Sequence, residues 1–535
     1  MKILESKRLP LLLSIASGLL LALPWYESFS GLILLFAFTP ILYAEHLLSE
    51  KNARTRTVIM YAALAMAIWA GIDTWWIKNA ATAGLIAAII IHATFGSLVF
   101  ALFHITKKRL GQTPGYISLI FFWIAFEYFY TNAEISFPWL TLGNGFAKDT
   151  FFIQWYEYTG IFGGSLWALL VNVVLFSTII SIIDRGKRHA YKMTIVTLCI
   201  VLLPIITSTI IYYNVVETGK KVNVVLLQPN IDPYHEKFDG LSSEEQTAIL
   251  LNLAAEAVDS STKLILGPET ALQGRIMEES LELAPSIAMV KQFMEQHPNA
   301  SMIVGMTSMK TYDTPYKPTP TARKYSDANQ FYDRYNAALQ INTSGFRVYH
   351  KSLLVVGVEK MPYLEYLPFI EELAVNLGGT IGSLGTQEER TVFQSSNDSI
   401  RVAPAICYES VYGEYYSGWV RNGANVGAII TNDGWWGDTP GYRQHLSYSS
   451  LRAIETRRYI ARSANTGISA IINLKGEVVK RLGWWQRGYI KGEVVTNNKI
   501  TFYAVWGDYI GRIATLLTLL MLPILLVKFL KRKGQ

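Results

Sequence analysis

Residues 402–409 read Val-Ala-Pro-Ala-Ile-Cys-Tyr-Glu, a short apolar run that ends in a cysteine with an acid two positions further on. Short apolar runs of this kind, rich in β-branched residues, are typical of buried strands. We therefore predict a strand that brings Cys407 to the edge of a sheet, where catalytic loops usually lie. The chain has only one other cysteine, Cys199. A disulfide framework is not expected, and a single reactive thiol deserves consideration.

Similar strand-like runs occur on both sides of Cys407. They lie at 222–228, 264–266, 301–304, 335–341, 402–406 and 426–430. Stretches with helical periodicity separate several of them, for example 243–259 and 280–297. Strands that alternate with helices predict a layered α/β domain.

Long apolar runs fill the two ends of the chain, which has a mean hydropathy of +0.23 and only 17% charged residues. Each run approaches the ~20 residues that a helix needs to cross a bilayer. They lie near 9–25, 30–48, 57–77, 83–105, 115–132, 163–184, 191–213 and 508–529. The predicted organisation is seven membrane helices in residues 1–213, an extracytoplasmic domain in 214–507, and an eighth helix with a basic tail in 508–535.

Basic residues mark alternate connections between these runs. They cluster before the first run, after the second, fourth and sixth runs, and at the C terminus; Lys51, Arg54 and Arg56 are examples. Cytoplasmic connections carry the basic excess, so both termini are predicted to be cytoplasmic and residues 214–507 to lie on the other side. The net charge of +7 then reflects topology, and no nucleic-acid partner is expected. The eight histidines are scattered and no CxxC or HExxH pattern occurs, so no metal site is predicted.

Three segments combine a predicted strand end with reactive side chains. They contain Glu269, then Lys351 with Glu359, and then Cys407 with Tyr408 and Glu409. A thiol attacks an acyl group only as its thiolate, so it needs a base or a positive charge nearby. Glu269 offers the base, Lys351 offers a cation for the thiolate and the oxyanion, and the backbone N–H of Tyr408 is a candidate second oxyanion donor.

Each of these residues also has an ordinary structural interpretation. A lone cysteine at a strand end is more often a small buried hydrophobe. A lone glutamate or lysine in a loop is usually solvated. Spacing alone does not join the three segments into one site.

The order Glu269, Lys351, Cys407, with the sequence around each, resembles the carbon–nitrogen hydrolase (nitrilase) superfamily. The likeness continues beyond the cysteine in residues 431–438, 444–445, 452–456 and 462–469. The resemblance implies an α-β-β-α sandwich and a Glu-Lys-Cys triad. It implies that Glu269 is the general base, that Lys351 stabilises the oxyanion, that Glu359 supports Lys351, and that Tyr408 and Glu409 shape the site around the nucleophile.

The membrane part narrows the resemblance to apolipoprotein N-acyltransferases, in which seven membrane helices precede a nitrilase domain and one follows it. Residues 137–143 and 158–160, with Asn172, resemble membrane motifs of that family. The resemblance implies that Cys407 takes an acyl group from a phospholipid as a thioester. The acyl group then passes to the α-amino group of a diacylglyceryl-cysteine at the N terminus of an apolipoprotein.

The same resemblance implies a location and a set of substrate contacts. The location is the bacterial inner membrane, with the nitrilase domain on the periplasmic side. No bound metal or organic cofactor is implied. Phe238 stands where the family commonly has tryptophan in a loop that covers the site, and Trp435 belongs to the Asn-Asp-Gly-Trp-Trp-Gly run at 432–437. Both are predicted to contact substrate. Residues 356–370, rich in apolar and aromatic side chains, are predicted to form either a mobile arm at the lipid interface or a packed surface loop.

Two alternative functions are compatible with the residues alone. One is a membrane-tethered amidase, because hydrolysis and aminolysis share an acyl-enzyme. The other is a transporter in which the central domain is only a scaffold, with Asp73 and Glu127 as candidate pathway groups. Both carboxylates lie toward the ends of predicted helices, and a scaffold is expected to have lost part of the triad. The enzyme interpretation is therefore favoured.

Overall fold

The computed structural model describes residues 8–237, 240–326, 329–363, 383–395 and 399–533. The chain forms two compact units. The helical unit comprises Met1–Lys78, Thr82–Asn214 and Trp506–Gln535, and the sandwich unit comprises Asn79–Ala81 and Val215–Val505.

The helices of the described residues lie at the two ends of the chain and between the strands. They are α1 Leu9–Ala22, α2 Leu34–Ala37, α3 Thr39–Glu50, α4 Thr55–Thr74, α5 Thr82–Leu110, α6 Gln112–Asn132, α7 Tyr156–Arg185, α8 Lys187–Asn214, α9 Ser243–Ala257, α10 Pro285–Glu295, α11 Gly413–Arg421, α12 Pro440–Thr456, α13 Phe502–Trp506 and α14 Tyr509–Lys533.

All eight predicted membrane runs are helical. Six helical segments among the described residues are long and apolar enough to cross a membrane: Gly31–Glu50, Thr55–Asn79, Thr82–Leu110, Tyr156–Asp184, Tyr191–Asn214 and Tyr509–Leu530. Leu9–Trp25 is shorter but also apolar. Helix α6 has 21 residues, but its tyrosines, its tryptophan and Glu127 make it less apolar than those six.

Polar side chains inside the helical unit close breaks in its helices. The Asn172 side-chain oxygen accepts hydrogen bonds from the N–H groups of Phe38 (2.8 Å) and Thr39 (2.9 Å), where α2 gives way to α3. Glu127 accepts the N–H of Leu142 (2.8 Å) and the indole N–H of Trp123 (2.9 Å). Because unpaired backbone groups are costly in a membrane, these contacts explain both polar residues as packing elements.

The strands all belong to the sandwich unit. They are β1 Lys221–Gln228, β2 Leu264–Leu266, β3 Leu272–Met277, β4 Ser301–Tyr312, β5 Arg323–Lys324, β6 Phe331–Asn342, β7 Gly345–His350, β8 Phe393–Gln394, β9 Arg401–Ile406, β10 Val426–Thr431, β11 Ile460–Ala464, β12 Ser469–Ile472, β13 Val478–Leu482 and β14 Gly488–Val495.

These strands form two mixed sheets that pack face to face. The first has the order β14-β1-β2-β4-β6-β5, with β3 beside β4 and β7 beside β6; the second has the order β13-β12-β11-β10-β9-β8. Strands β1 and β2 contact β11 across the interface, while α9 and α10 cover the first sheet and α11 and α12 contact the second. The result is the predicted α-β-β-α sandwich.

Local sequence explains where the covering helices begin. Ser242 caps α9 by accepting the N–H of Glu245 (3.1 Å), while the Glu245 carboxylate accepts the N–H of Ser242 (2.8 Å). Pro285 and Pro440 occupy first helical positions, where a missing N–H costs nothing.

Candidate active site

Three strand ends converge on one site between the two sheets. Glu269 lies three residues after β2 and Lys351 directly after β7, both in the first sheet. Cys407 lies directly after β9 in the second sheet. The carboxyl ends of strands carry these side chains because backbone pairing stops there and leaves loops to present them.

Lys351 joins two carboxylates. Its ammonium is 1% exposed and donates to Glu269 Oε1 (3.0 Å) and to Glu359 Oε1 (2.9 Å). The Asn336 side-chain amide donates to the same two oxygens, at 2.7 Å and 2.9 Å. The backbone carbonyl oxygen of Asn336 also accepts the backbone N–H of Lys351 at 2.8 Å. The Lys351 ammonium, the Asn336 amide and the two carboxylate oxygens therefore form a closed ring of hydrogen bonds.

The charges of this ring act on each other. Burial alone would lower the pKa of Lys351, but Glu269 and Glu359 outweigh it and hold that pKa well above its usual value. Burial would likewise raise the pKa of Glu269, but Lys351 and the amide of Asn336 hold that pKa below its usual value. Lys351 is therefore a cation and Glu269 a carboxylate at neutral pH.

Cys407 occupies a sharp turn between β9 and a 3-10 helix, Cys407–Val411. Its φ is +48°, in the left-handed region that non-glycine residues rarely adopt. Burial raises the pKa of the thiol; the charge of Glu269 raises it further, and Lys351 opposes both. The resting group is thus a thiol on which the charges of Glu269 and Lys351 act in opposite directions.

Glu409 buttresses the turn that carries Cys407. Its carboxylate is fully buried and accepts the backbone N–H groups of Ile406 (2.8 Å) and Ser352 (2.7 Å), together with the hydroxyl of Tyr349. It therefore links the residue before Cys407 to the residue after Lys351. Burial raises the pKa of Glu409 to about 7, against these hydrogen bonds.

Two further predicted residues, Tyr408 and Trp435, pack against other aromatic side chains. Tyr408 is buried and packs edge-on against Tyr412, with ring centres 5.2 Å apart. Trp435 is half-buried and packs edge-on against Tyr234 at 5.4 Å. Phe238 lies outside the described residues, as do residues 364–370 of the predicted arm at 356–370.

Two residues of the site were absent from the sequence prediction. Asn336 lies inside β6, and Lys237 lies in the segment before α9. Lys237 donates to the Thr270 hydroxyl at 2.7 Å, next to Glu269. Alternation along β6 would have directed Asn336 to a sheet face but not to a particular partner, and nothing local distinguishes Lys237 from a solvated lysine.

A second buried cluster lies behind Cys407. The His445 ring is 2.9 Å from Asp433 Oδ1 and 3.2 Å from the Cys407 carbonyl oxygen, and Arg462 donates to Asp433 Oδ2 at 2.6 Å. Ligand atoms of Cys407, Asp433 and His445 lie within 4.8 Å of one another. Both Asp433 oxygens are already used, however, and a guanidinium beside them opposes a metal cation. The cluster fits a structural role.

Comparisons with known proteins divide the chain in the same way. The carbon-nitrogen hydrolase family profile matches residues 226–498, and the apolipoprotein N-acyltransferase N-terminal domain profile matches residues 17–174. Apolipoprotein N-acyltransferase from Chlorobaculum tepidum is 30% identical over 94% of both chains. Its counterpart from Geobacter metallireducens is 28% identical over 93% of this chain and 91% of its own.

Among solved structures, Saccharomyces cerevisiae Nit3, a nitrilase superfamily member, covers 52% of this chain and 91% of its own. It does so with a TM-score of 0.37 and 14% identity.

Proposed function

The chain belongs to the apolipoprotein N-acyltransferase family, and from this premise we propose a two-step transfer through a thioester at Cys407. The protein is a membrane acyltransferase that N-acylates lipoproteins. That membership removes the amidase and transporter alternatives. The roles of individual residues, the acyl donor and the orientation in the membrane are part of the proposal.

In the first step a phospholipid acyl ester donates its acyl group to Cys407. Glu269 takes the thiol proton as Sγ attacks the ester carbonyl, and the Lys351 ammonium faces the oxyanion that forms. Collapse breaks the carbonyl–oxygen bond. The lysophospholipid leaves with the proton that Glu269 held, and a thioester remains on Cys407.

In the second step the α-amino group of a diacylglyceryl-cysteine attacks the thioester carbonyl. Glu269 takes a proton from the attacking amine, and Lys351 again faces the oxyanion. Collapse expels Cys407 as a thiolate, which recovers its proton from Glu269. The products are an N-acylated lipoprotein and the free enzyme.

The observation that carries this proposal is the buried ammonium of Lys351, held by Glu269 and Glu359 close enough to Cys407 to act on its pKa. A preorganised cation in a dry site stabilises a developing oxyanion far more than it would in water. Glu359 keeps the cation in place while Glu269 remains available as a base. Tyr408 and Glu409 shape the turn around the nucleophile, and Trp435 and Phe238 are proposed to contact the lipid substrates.

The orientation follows from charge. Both termini are proposed to be cytoplasmic and the sandwich unit periplasmic, at the inner membrane, because basic residues cluster in alternate connections. This places Cys407 on the side where the diacylglyceryl-cysteine of an exported lipoprotein would be found.

The proposal is tested by trapping the acyl-enzyme. Purified protein in detergent is incubated with a phospholipid whose acyl chain carries an alkyne, and the protein is examined for a hydroxylamine-sensitive label. We expect labelling of the parent protein and of Cys199→Ser, the matched control at the exposed cysteine, and none in Cys407→Ser. A diacylglyceryl-cysteine peptide should discharge the label.

Each contrary outcome contradicts a different part of the proposal. Absence of label in a folded protein would contradict the phospholipid donor. A label that survives in Cys407→Ser would contradict the nucleophile. Equal discharge with and without the peptide would contradict the amine acceptor.

A further inference from the structure

We propose that Lys237 is a positioning residue for Glu269, the proposed catalytic base, because its ammonium fastens the turn that carries this residue. The inference rests on the proposed function, in which Glu269 takes the proton of Cys407. It adds a second cation to the site, which contacts the backbone carbonyl of Glu269, whereas Lys351 contacts the carboxylate.

The Lys237 ammonium contacts the turn that follows β2. The lysine is only 3% exposed; its ammonium donates to Thr270 Oγ1 at 2.7 Å and lies 3.4 Å from the backbone carbonyl oxygen of Glu269. Both acceptors flank the peptide bond between Glu269 and Thr270. Thr270 has φ +48°, a costly conformation for a β-branched residue. A turn held in this conformation needs an external contact, and Lys237 supplies one.

The backbone of Lys237 is fixed independently of the base. Its carbonyl oxygen accepts the side-chain amide of Gln246, a buried residue of α9, at 2.7 Å, and its N–H donates to the carbonyl of Asp232 at 2.9 Å. The ammonium is therefore anchored through the helix that covers the first sheet. Movement of Glu269 would have to work against this anchor, which is what a positioning contact requires.

The position of this charge makes electrostatic sense only beside a carboxylate. Burying an ammonium is expensive unless a negative charge compensates it. Burial lowers the pKa of Lys237 to about 8, and Glu269 opposes that shift. In return, Lys237 lowers the pKa of Glu269, together with Lys351.

Five groups act on the Glu269 carboxylate, and one of them is the Asn336 side-chain amide, which donates to it from β6 at 2.7 Å. Lys237 faces it from the segment before α9, Lys351 from the end of β7, the Cys407 thiol from the end of β9, and the N–H of Asn432 from the end of β10 at 3.0 Å. Of the two cations, Lys351 also contacts Glu359 and faces the oxyanion in the proposed mechanism. Removal of Lys237 leaves those contacts of Lys351 in place, and comparison with Lys237→Arg and Thr270→Val separates its charge from its hydrogen bond to the turn.

The test is the pH dependence of Cys407 alkylation by iodoacetamide in a Cys199→Ser background, which needs no lipid substrate. Glu269 must be ionised to take the thiol proton, so the rate falls as pH drops through the pKa of Glu269. In Lys237→Met we expect this acid limb to move upward by about 1 pH unit, because the carboxylate loses a nearby cation. Lys237→Arg, which keeps the charge, should restore the original limb.

Thr270→Val is the matched control, because it removes the hydroxyl acceptor but leaves the ammonium in place. Its acid limb should stay where the parent protein has it. A limb that does not move in Lys237→Met, or that moves equally in Thr270→Val, would overturn the inference. If Lys237→Met does not fold, as judged by thermal unfolding, Lys237→Gln is measured against the same expectation.

The alkylation assay and the acyl-enzyme assay together separate this inference from the proposed mechanism on which it rests. A protein that shows the shifted limb but forms no thioester with phospholipid would contradict the proposed donor and leave the role of Lys237 intact. A protein that forms the thioester but shows no shift would contradict the role of Lys237 alone.

Discussion

At the scale of single residues, two neighbouring carboxylates set the pKa of the Lys351 ammonium. Glu269 and Glu359 both contact its ammonium, and both raise its pKa. The two carboxylates do different work, however, because only Glu269 also accepts the backbone N–H of Asn432 and acts on the Cys407 thiol. Glu359 instead accepts the N–H of Val355 at 2.8 Å, which fixes it to its own loop. In the proposed mechanism Glu269 serves as the base while Glu359 holds the cation.

This division of work predicts the effect of Glu359→Gln. Lys351 must be protonated to face an oxyanion, so activity is lost as pH rises through its pKa. Removal of one carboxylate lowers that pKa, and the alkaline loss of kcat/KM should move to lower pH by about 1 unit or more. At neutral pH we expect a fall of roughly 10- to 100-fold, the size of effect produced by loss of a supporting partner. The measurement is the pH profile of acyl transfer.

Glu282→Gln is a suitable control for that substitution. Glu282 is 63% exposed and pairs with Lys291 at 3.2 Å, and neither residue belongs to the ring of hydrogen bonds around Lys351. Its pH profile should match that of the parent protein. An unchanged alkaline limb in Glu359→Gln would show that Glu269 alone sets the protonation of Lys351.

At the scale of elements, three buried side chains form a cluster that contacts the turn carrying Cys407. Asp433 follows β10, His445 lies in α12 and Arg462 lies in β11, and all three side chains are fully buried. Burial would raise the pKa of Asp433, but Arg462 and His445 hold it at about 2. The cluster therefore connects two strands and a helix next to Cys407, and its stability depends on each charge having its partner.

Arg462→Met is expected to destabilise the protein by about 3–5 kcal/mol, because it leaves the Asp433 carboxylate buried and unpaired. Lys291→Met, which breaks the exposed pair with Glu282, should cost less than about 1 kcal/mol. The measurement is thermal or denaturant unfolding of each variant in detergent. Similar stabilities for the two variants would contradict a structural role for the buried cluster.

At the scale of the whole molecule, the chain combines two units with opposite solvent requirements. The helical unit presents apolar side chains outward, such as Leu203 and Leu520, each more than half exposed. The sandwich unit buries its apolar residues between two sheets and beneath α9 to α12. A membrane acyltransferase needs both, because its substrates are lipid-anchored while its chemistry needs a rigid, dry site.

The proposed orientation is tested with single cysteines in a Cys199→Ser, Cys407→Ser background. Tyr316→Cys reports on the sandwich unit, where Tyr316 is 80% exposed, and Lys51→Cys reports on a basic connection between helices. In cells with a permeabilised outer membrane, an impermeant maleimide should label only Tyr316→Cys. Lys51→Cys should react only after lysis. The reverse pattern would contradict a periplasmic sandwich unit.

The sequence by itself determined the elements and their order. Apolar runs of membrane length and alternating strands and helices depend on local composition, so the eight helical segments and the strands beginning near 222, 264, 301, 402 and 426 were predictable. Strands such as β12 and β13 were not singled out, because short runs carry little periodicity. Local sequence also identified Cys407 as a candidate, but only resemblance to known proteins joined it to Glu269 and Lys351.

Only the tertiary structure decided which side chains act on one another. Glu269 and Lys351 are 82 positions apart, and Asn336 reaches the same carboxylate from β6. Lys237 reaches the hydroxyl of the adjacent Thr270 from the segment before α9. Contacts of this kind depend on how two sheets stack and which strands become neighbours, and no local pattern encodes that. The protonation of the site is decided in the same way, since burial and neighbouring charge exist only once the chain has folded.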